Sequence, residues 1–238
     1  MNKSKLERFI QKYSLGGAVE RAMWTFKDNK LSTTFVTAGK ALLGKVSVDD
    51  FAFEDIKLGV YSTSQLQRLL NVLGDNIDIF LTKVDKSAIS LKISDSEATV
   101  NFTLADLAVI ETPPKQIKWP VFDTTIDIDN KFIDTFIRGK SALPDANTFT
   151  IVDNGNVKII IGYSTINSNR VTIPISAKEK FLPDFLSFDA NLFKEILLAN
   201  RECKSATFKI SSKGLAHIAF NVNNYNASYY LTAAQNID

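Results

Sequence analysis

The sequence predicts an α+β chain of two similar domains, each a set of antiparallel sheets carrying two helices. Three observations lead there. Shifted by 127 residues, the chain lines up with itself without gaps. Four apolar stripes have helical spacing, two in each half. Between them run alternating apolar and polar residues, broken by Asp, Asn, Gly, Lys and Ser turns.

The repeat is carried by character and order more than by identity. Leu6, Phe9 and Ile10 fall on Ile133, Phe136 and Ile137; Leu66, Leu69 and Leu70 fall on Phe193, Ile196 and Leu197. Val46 and Val48 fall on Ile173 and Ile175, Leu81 on Phe208, and Phe102 and Leu104 on Tyr229 and Leu231. The domains are then residues 1–110 and 123–238, with a connector at 111–122. Three of the chain's six prolines lie in ETPPKQIKWP, Glu111 to Pro120, which reads as an extended link because Pro cannot donate to a ladder.

In the first half, Leu6, Phe9, Ile10 and Tyr13 have the i, i+3, i+4, i+7 spacing of an amphipathic helix. Strands are expected around Leu31–Thr37, Gly44–Val48 and Ile56–Tyr61. Ser62 reads as the N-cap of a helix carrying Leu66, Leu69, Leu70 and Leu73, with Gly74 closing it. Strands follow at Ile77–Val84, Ala88–Ile93 and Thr99–Val109. In the second half Asp129 precedes a helix with Phe132, Ile133, Phe136 and Ile137, and Asp189 caps one with Leu192, Phe193, Ile196 and Leu197. Asp153–Asn156, DNGN, is a hairpin turn. The last strands are expected at Ser205–Ser211, Leu215–Val222 and Ala227–Thr232.

Composition narrows the chemistry. With 45% hydrophobic residues the 238-residue chain has material for a core. One cysteine, Cys203, excludes an internal disulfide framework and a cysteine zinc cluster; one histidine, His217, leaves no histidine pair for a metal. The charged, amphipathic start lacks the apolar core of a secretory signal, and no window approaches a membrane span, so a soluble protein in a reducing compartment is expected. RGKS, Arg138–Ser141, lacks the upstream glycine of a phosphate loop, position 134 being Asp. Gly16–Gly17 reads as a loop closing the first helix, His217 as a strand histidine at a surface or interface, and Cys203 as a structural thiol. The acidic run Asp123–Asp129 reads as a solvated strand face before a helix cap. No catalytic constellation emerges, so the protein is not expected to be an enzyme, and no cofactor is expected.

Net charge is only +2, from 28 Lys and Arg against 26 Asp and Glu, and alone it argues against a nucleic-acid partner. Its distribution argues otherwise. Residues 3–13 carry Lys3, Lys5, Arg8 and Lys12 against Glu7; 62–73 carry Arg68 alone; 129–143 carry Lys131, Arg138 and Lys140 against Asp129 and Asp134. The helices therefore concentrate positive charge and leave the remainder of the chain net acidic, a division that attracts phosphate. Arg68 lies about 160–200° from its leucine stripe. Lys131 and Arg138 point opposite their apolar face, and Lys5, Arg8 and Lys12 share one side. The fourth helix fits less well, because Glu195 takes the outward centre with Lys194 and Arg201 toward its flank.

Two similar domains of two helices and about eight strands, a proline connector and basic helices together resemble a DNA sliding clamp, a polymerase processivity factor. The likeness is to the T-even phage clamp and to proliferating cell nuclear antigen. It rests on FEDIKLGVYSTSQLQRLLNVLGDNIDIFL, WPVFDTTIDIDNKFIDTFIRGKSAL and LSFDANLFKEILLANRECKSATFKISSKGLAHIAF, continuing into NASYYLTA. It is a likeness of pattern and order over nearly the whole chain. The resemblance implies a homotrimeric ring with helices lining the hole around double-stranded DNA. Contact would be non-specific, through Lys3, Lys5, Arg8, Lys12, Arg68, Lys131, Arg138, Lys140, Lys194 and Arg201. It implies a head-to-tail contact between an edge strand near Thr99–Val109 and one near Arg170–Ser176. A DNA polymerase and an ATP-driven clamp loader are the implied partners, with no membrane. They would use an apolar pocket among Val36, Leu42, Ile110, Ile117, Trp119, Tyr230 and Leu231. Trp119 equally reads as a plug anchoring the connector. A phage member of this family would work in the host's bacterial cytoplasm. The competing reading is a duplicated β-rich structural or ligand-binding protein whose basic helices are merely solvated.

Overall fold

The structure, a computed structural model, describes all residues except 86, 114–117, 154–155, 167, 179–184 and 235–238, and only the backbone of Lys178. It divides into two compact units. The first comprises Met1–Val36 and Lys45–Pro113, the second Thr37–Gly44 and Pro114–Asp238.

Unit 1 begins with α1 (Lys3–Ser14), whose Asn2 cap accepts a hydrogen bond from the Ser4 N–H at 2.8 Å. Leu6, Phe9, Ile10 and Tyr13 are buried, as their spacing requires. The helix ends where Leu15 turns left-handed, and Gly16 and Gly17, with φ of 65° and 98°, carry the chain away at no Cβ cost. Strands β1 (Ala22–Lys27), β2 (Lys30–Val36), β3 (Leu42–Val48) and β4 (Ile56–Val60) follow in the sheet order β4-β1-β2-β3. Strand β1 is additional to the expected strands; Ala22, Trp24 and Phe26 alternate inward along it. Helix α2 (Thr63–Leu70) precedes a three-stranded sheet, β5 (Asp78–Val84), β6 (Ser87–Ser94) and β7 (Thr99–Thr103).

Three expectations in this unit change. Helix α2 ends at Leu70 with Asn71 as its C-cap, so Leu73 and Gly74 lie beyond it. Ser62 makes no side-chain cap. Glu20 caps α2 instead, its carboxylate accepting from the Ser64 N–H at 3.1 Å and its backbone carbonyl from Thr63. The last strand stops at Thr103, because Asp106 accepts from the Ala108 N–H and winds Leu107–Val109 into a 3-10 turn.

Unit 2 repeats the scheme. It runs β8 (Thr124–Asp129), α3 (Asn130–Ala142), β9 (Thr148–Asp153), β10 (Val157–Ile161), β11 (Val171–Pro174), β12 (Ala177–Lys178) and β13 (Phe185–Asp189). Helix α4 (Ala190–Ala199), β14 (Ser205–Ser211), β15 (Leu215–Val222) and β16 (Tyr225–Thr232) complete it. One sheet has the order β13-β9-β10-β11; in the other β12, β8, β14, β15 and β16 lie side by side. Starts at 3 and 130, 30 and 157, 63 and 190, and 78 and 205 are all 127 positions apart, so the sequence period is a structural period. Asp129 and Asp189 cap their helices as expected, each accepting backbone N–H bonds at 2.7–2.8 Å. Strands β9 and β10, on either side of DNGN, pair antiparallel; Asn154 and Gly155 of the expected turn lie outside the described residues.

Each unit closes around an aromatic hub at the same repeat position. Phe9 meets Tyr13 and Trp24 edge-on at 5.5 and 5.7 Å; Phe136 meets Phe149 and Phe193 edge-on at 5.3 and 4.8 Å. The Tyr13 hydroxyl lies 3.1 Å from Thr63 Oγ1 and ties α1 to α2, and burial pushes its pKa well above the usual tyrosine value. In unit 2 the buried Asn200 donates to Ile196 O and to the Tyr229 hydroxyl, satisfying a polar group in the core.

Candidate nucleic-acid interface

Helical geometry separates the ten candidate cations into groups. Arg8, Arg68 and Lys131 are exposed and, among the described residues, unpaired. Arg138 is exposed as well, with its Nε donating to Asp134 O at 3.3 Å. All four lie away from the apolar stripe of their helix, so their charge is held in water where it can meet phosphate.

Two candidates are corrected by burial. Lys12 is 1% exposed and Lys140 4% exposed. At about 100° per residue Lys12 falls roughly 60° from Phe9, on the flank of the apolar stripe, whereas Arg8 lies opposite the stripe. Lys140 comes seven residues after Ile133, on the apolar stripe itself. The helix continues past it to Ala142. Its ammonium bonds Pro144 O at 2.8 Å and Leu143 O at 3.4 Å, just past the helix end. It caps α3, where a cation also suits the helix dipole.

Four more are engaged in structure. Lys3 donates to Leu73 O at 2.5 Å and Leu70 O at 3.3 Å, and pairs with Glu7, stapling the start of α1 to the end of α2. Lys5 donates to Asp50 O at 2.6 Å and lies over the Phe51 ring. Arg201, just past the C-cap of α4, clasps Asp134 of α3 through Nε at 3.0 Å and Nη2 at 2.8 Å. Lys194 lies 4.0 Å from Glu195. A surface pair such as Arg201–Asp134 contributes at most about 1 kcal/mol, yet it holds the cation on a carboxylate.

The partner-pocket candidates separate likewise. Ile110 in unit 1, and Leu42 and Leu231 in unit 2, are buried, and Val36 is half-buried. They are therefore core residues for the most part, and Ile117 lies outside the described residues. Trp119 and Tyr230 do meet: their rings stack at 3.9 Å and 14°. Trp119 keeps 38% of its surface exposed, so it is a clip on a sheet face and not a core plug. The stack continues from Tyr230 to His217 at 4.4 Å, and Phe122 tilts against His217 at 5.8 Å. This row of rings was not anticipated as a unit; the only signal is the β15–β16 register, which pairs His217 with Tyr230. Burial, with Lys209 nearby, holds the His217 pKa below its ordinary value, and its Nε2 lies 2.8 Å from Ser228 Oγ.

The strands nearest the two expected edge segments both lie at sheet edges. Strand β7 ends the three-stranded sheet of unit 1, and β11 ends the four-stranded sheet of unit 2. Beside β11 is a cavity of about 350 Å³ whose walls include Asp127, Asp129, Lys131, Phe132, Ile173 and Pro174. Among the described residues no three His, Cys, Asp or Glu side chains gather as a metal set, and no helix is long and apolar enough to cross a membrane.

A duplicated α+β unit with a helix pair and two antiparallel sheets is the DNA-clamp fold. Solved structures with this fold cover nearly the whole chain. Proliferating cellular nuclear antigen from Entamoeba histolytica has a TM-score of 0.73 and 16% identity over 98% of this chain and 96% of that one. A PCNA2–PCNA3 complex from Sulfolobus tokodaii has a TM-score of 0.73 and 10% identity over 98% and 97%. In sequence, the sliding clamp of Escherichia phage RB69 is 22% identical over 158 residues, 66% of this chain. The match spans 65% of that relative's length. No family model matches the chain.

Proposed function

We propose that this protein is a DNA sliding clamp: three copies close head to tail into a ring around duplex DNA and tether a DNA polymerase for processive synthesis. The observation that carries this reading is the doubled clamp unit, with β7 at a sheet edge in one half and β11 at a sheet edge in the other. Pairing β7 of one chain with β11 of the next covers two strands that otherwise invite aggregation, and a repeated head-to-tail contact closes a ring. The exposed Arg8, Arg68, Lys131 and Arg138 supply phosphate attraction without base contacts, so the ring holds DNA without stopping on a sequence.

The function is then topological, a tether without chemical catalysis. Opening the ring requires a loader ATPase, and the polymerase docks beside the connector, where Trp119 and Tyr230 offer ring faces. The phage relative supports a site of action in a bacterial cytoplasm. Sedimentation over a concentration series should give a trimer, and a strict monomer at micromolar concentrations counts against the ring. With a loader, the protein should raise polymerase processivity on circular primed DNA. Linearising that DNA should release the loaded protein; retention would exclude topological tethering.

A further inference from the structure

We propose that the outer edge of β5 is a docking site for an extended peptide that alternates aliphatic and acidic residues and adds to the sheet as an antiparallel strand. This goes beyond the clamp function and does not depend on it.

Unit 2 shows what the equivalent edge carries. There β14 is flanked by β8, whose TTIDID run pairs antiparallel with it: Ile126 faces Phe208, Ile128 faces Ala206, and Asp127 faces Thr207. Ile126 and Ile128 are buried on the sheet's inner side, and Asp127 is exposed on the outer. Strand β5 is the repeat equivalent of β14, and the registers agree. Leu81 pairs with Leu91 and Phe80 with Lys92, just as Phe208 pairs with Ile218 and Thr207 with Ala219, each shifted by 127.

Among the described residues of unit 1, the place of β8 is taken only in part. Met1 and Ile77 exchange two backbone hydrogen bonds, at 2.6 and 2.8 Å, and Asn2 bridges Asn76. Beyond Ile77, no strand among the described residues pairs with β5 on its outer side. The consequence is visible in the side chains. Phe208 is fully buried in unit 2, but its equivalent Leu81 is only half-buried, and Phe80 is 54% exposed. The usable edge is Asp78–Thr82, since a register shift at Thr82/Lys83 and the Lys83–Glu54 ion pair end it.

Carrying the β8 register onto β5 defines the occupant. Two aliphatic side chains would cover Leu81 and Ile79, and the residue between them would face Phe80 on the outer side. The exposed Lys92, register partner of Phe80, favours an acid there. This is strand addition to an exposed sheet edge, with main-chain bonds for affinity and alternate side chains for selectivity. A second copy of β5 suits the edge less well: symmetric pairing centred on Phe80 would set Asp85 of one strand against Asp75 of the other.

The test uses the full chain and a blocked synthetic peptide with the sequence of residues 123–130, followed by hydrogen exchange. At millimolar peptide the backbone amides of Asp78–Thr82 should exchange several-fold more slowly, while those of β14 stay unchanged. Phe80→Asp, which sets a carboxylate against the peptide's own, should abolish that protection. Leu81→Lys should do the same and serves if the first variant folds poorly. No slowing, or equal slowing by a peptide with Asp in place of both isoleucines, overturns the proposal. So does protection that rises with protein concentration in the absence of peptide, which would mark self-pairing.

Discussion

Neutralising Arg8, Arg68, Lys131 and Arg138 to Gln tests the division of the cations most directly. Each exposed cation that meets a phosphate releases counterions and adds about 0.9 to the slope of log affinity against log salt. Four such groups allow the slope to fall by up to ~3.6 per chain when all are removed. The remaining candidates make the controls. Arg201 is held on Asp134, and Lys194 lies beside Glu195. Neutralising both should change the slope by less than about 0.9, because these charges are already spent on protein partners. The assay is fluorescence anisotropy of a short labelled duplex titrated at several salt concentrations, with circular dichroism to verify folding. A fourfold variant with the wild-type slope, or a control variant that loses more than the fourfold one, would refute the assignment.

Three further outcomes are expected. Phe9→Ala and Phe136→Ala, at equivalent hubs, should each cost about 3–5 kcal/mol; calorimetry should show a matched loss, and a cost below about 1 kcal/mol would contradict the packing. Because His217 titrates lower in the folded chain than in the unfolded one, stability should be full above about pH 6.5 and decline as pH falls below it. Denaturant midpoints should show that slope, His217→Phe should flatten it, and a rise on acidification would reverse the sign. Trp119→Ala should remove the exposed component of tryptophan fluorescence and cost about 0.5–1.5 kcal/mol, the worth of one aromatic stack. An unchanged spectrum would mean that Trp24 alone emits.

Part of the interface was legible and part was not, for one physical reason. Outward cations such as Arg68 and Lys131 follow from helical phase alone. Lys140 was also readable by phase, since it lies seven residues past Ile133, but its ending on Pro144 O depends on how the chain turns after α3. Lys12 lies on a flank, where the width of the neighbouring packing, not its angle, decides exposure. The edge strand expected to reach Val109 was shortened by a local cap at Asp106.

The sequence by itself determined the doubled unit, the four helices and the capping by Asp129 and Asp189. Those features express burial periodicity and short-range hydrogen bonding, which are written within a few residues. Only the tertiary structure decided which cations are free, that Glu20 caps α2, that Trp119 lies on Tyr230, and that β5 is open where β14 is covered. Lys3 meets Leu73 and Arg201 meets Asp134 across 70 and 67 residues, and no local pattern encodes such partners. A cation or a strand edge is functional only when it is left unpaired, and that depends on every other segment of the fold.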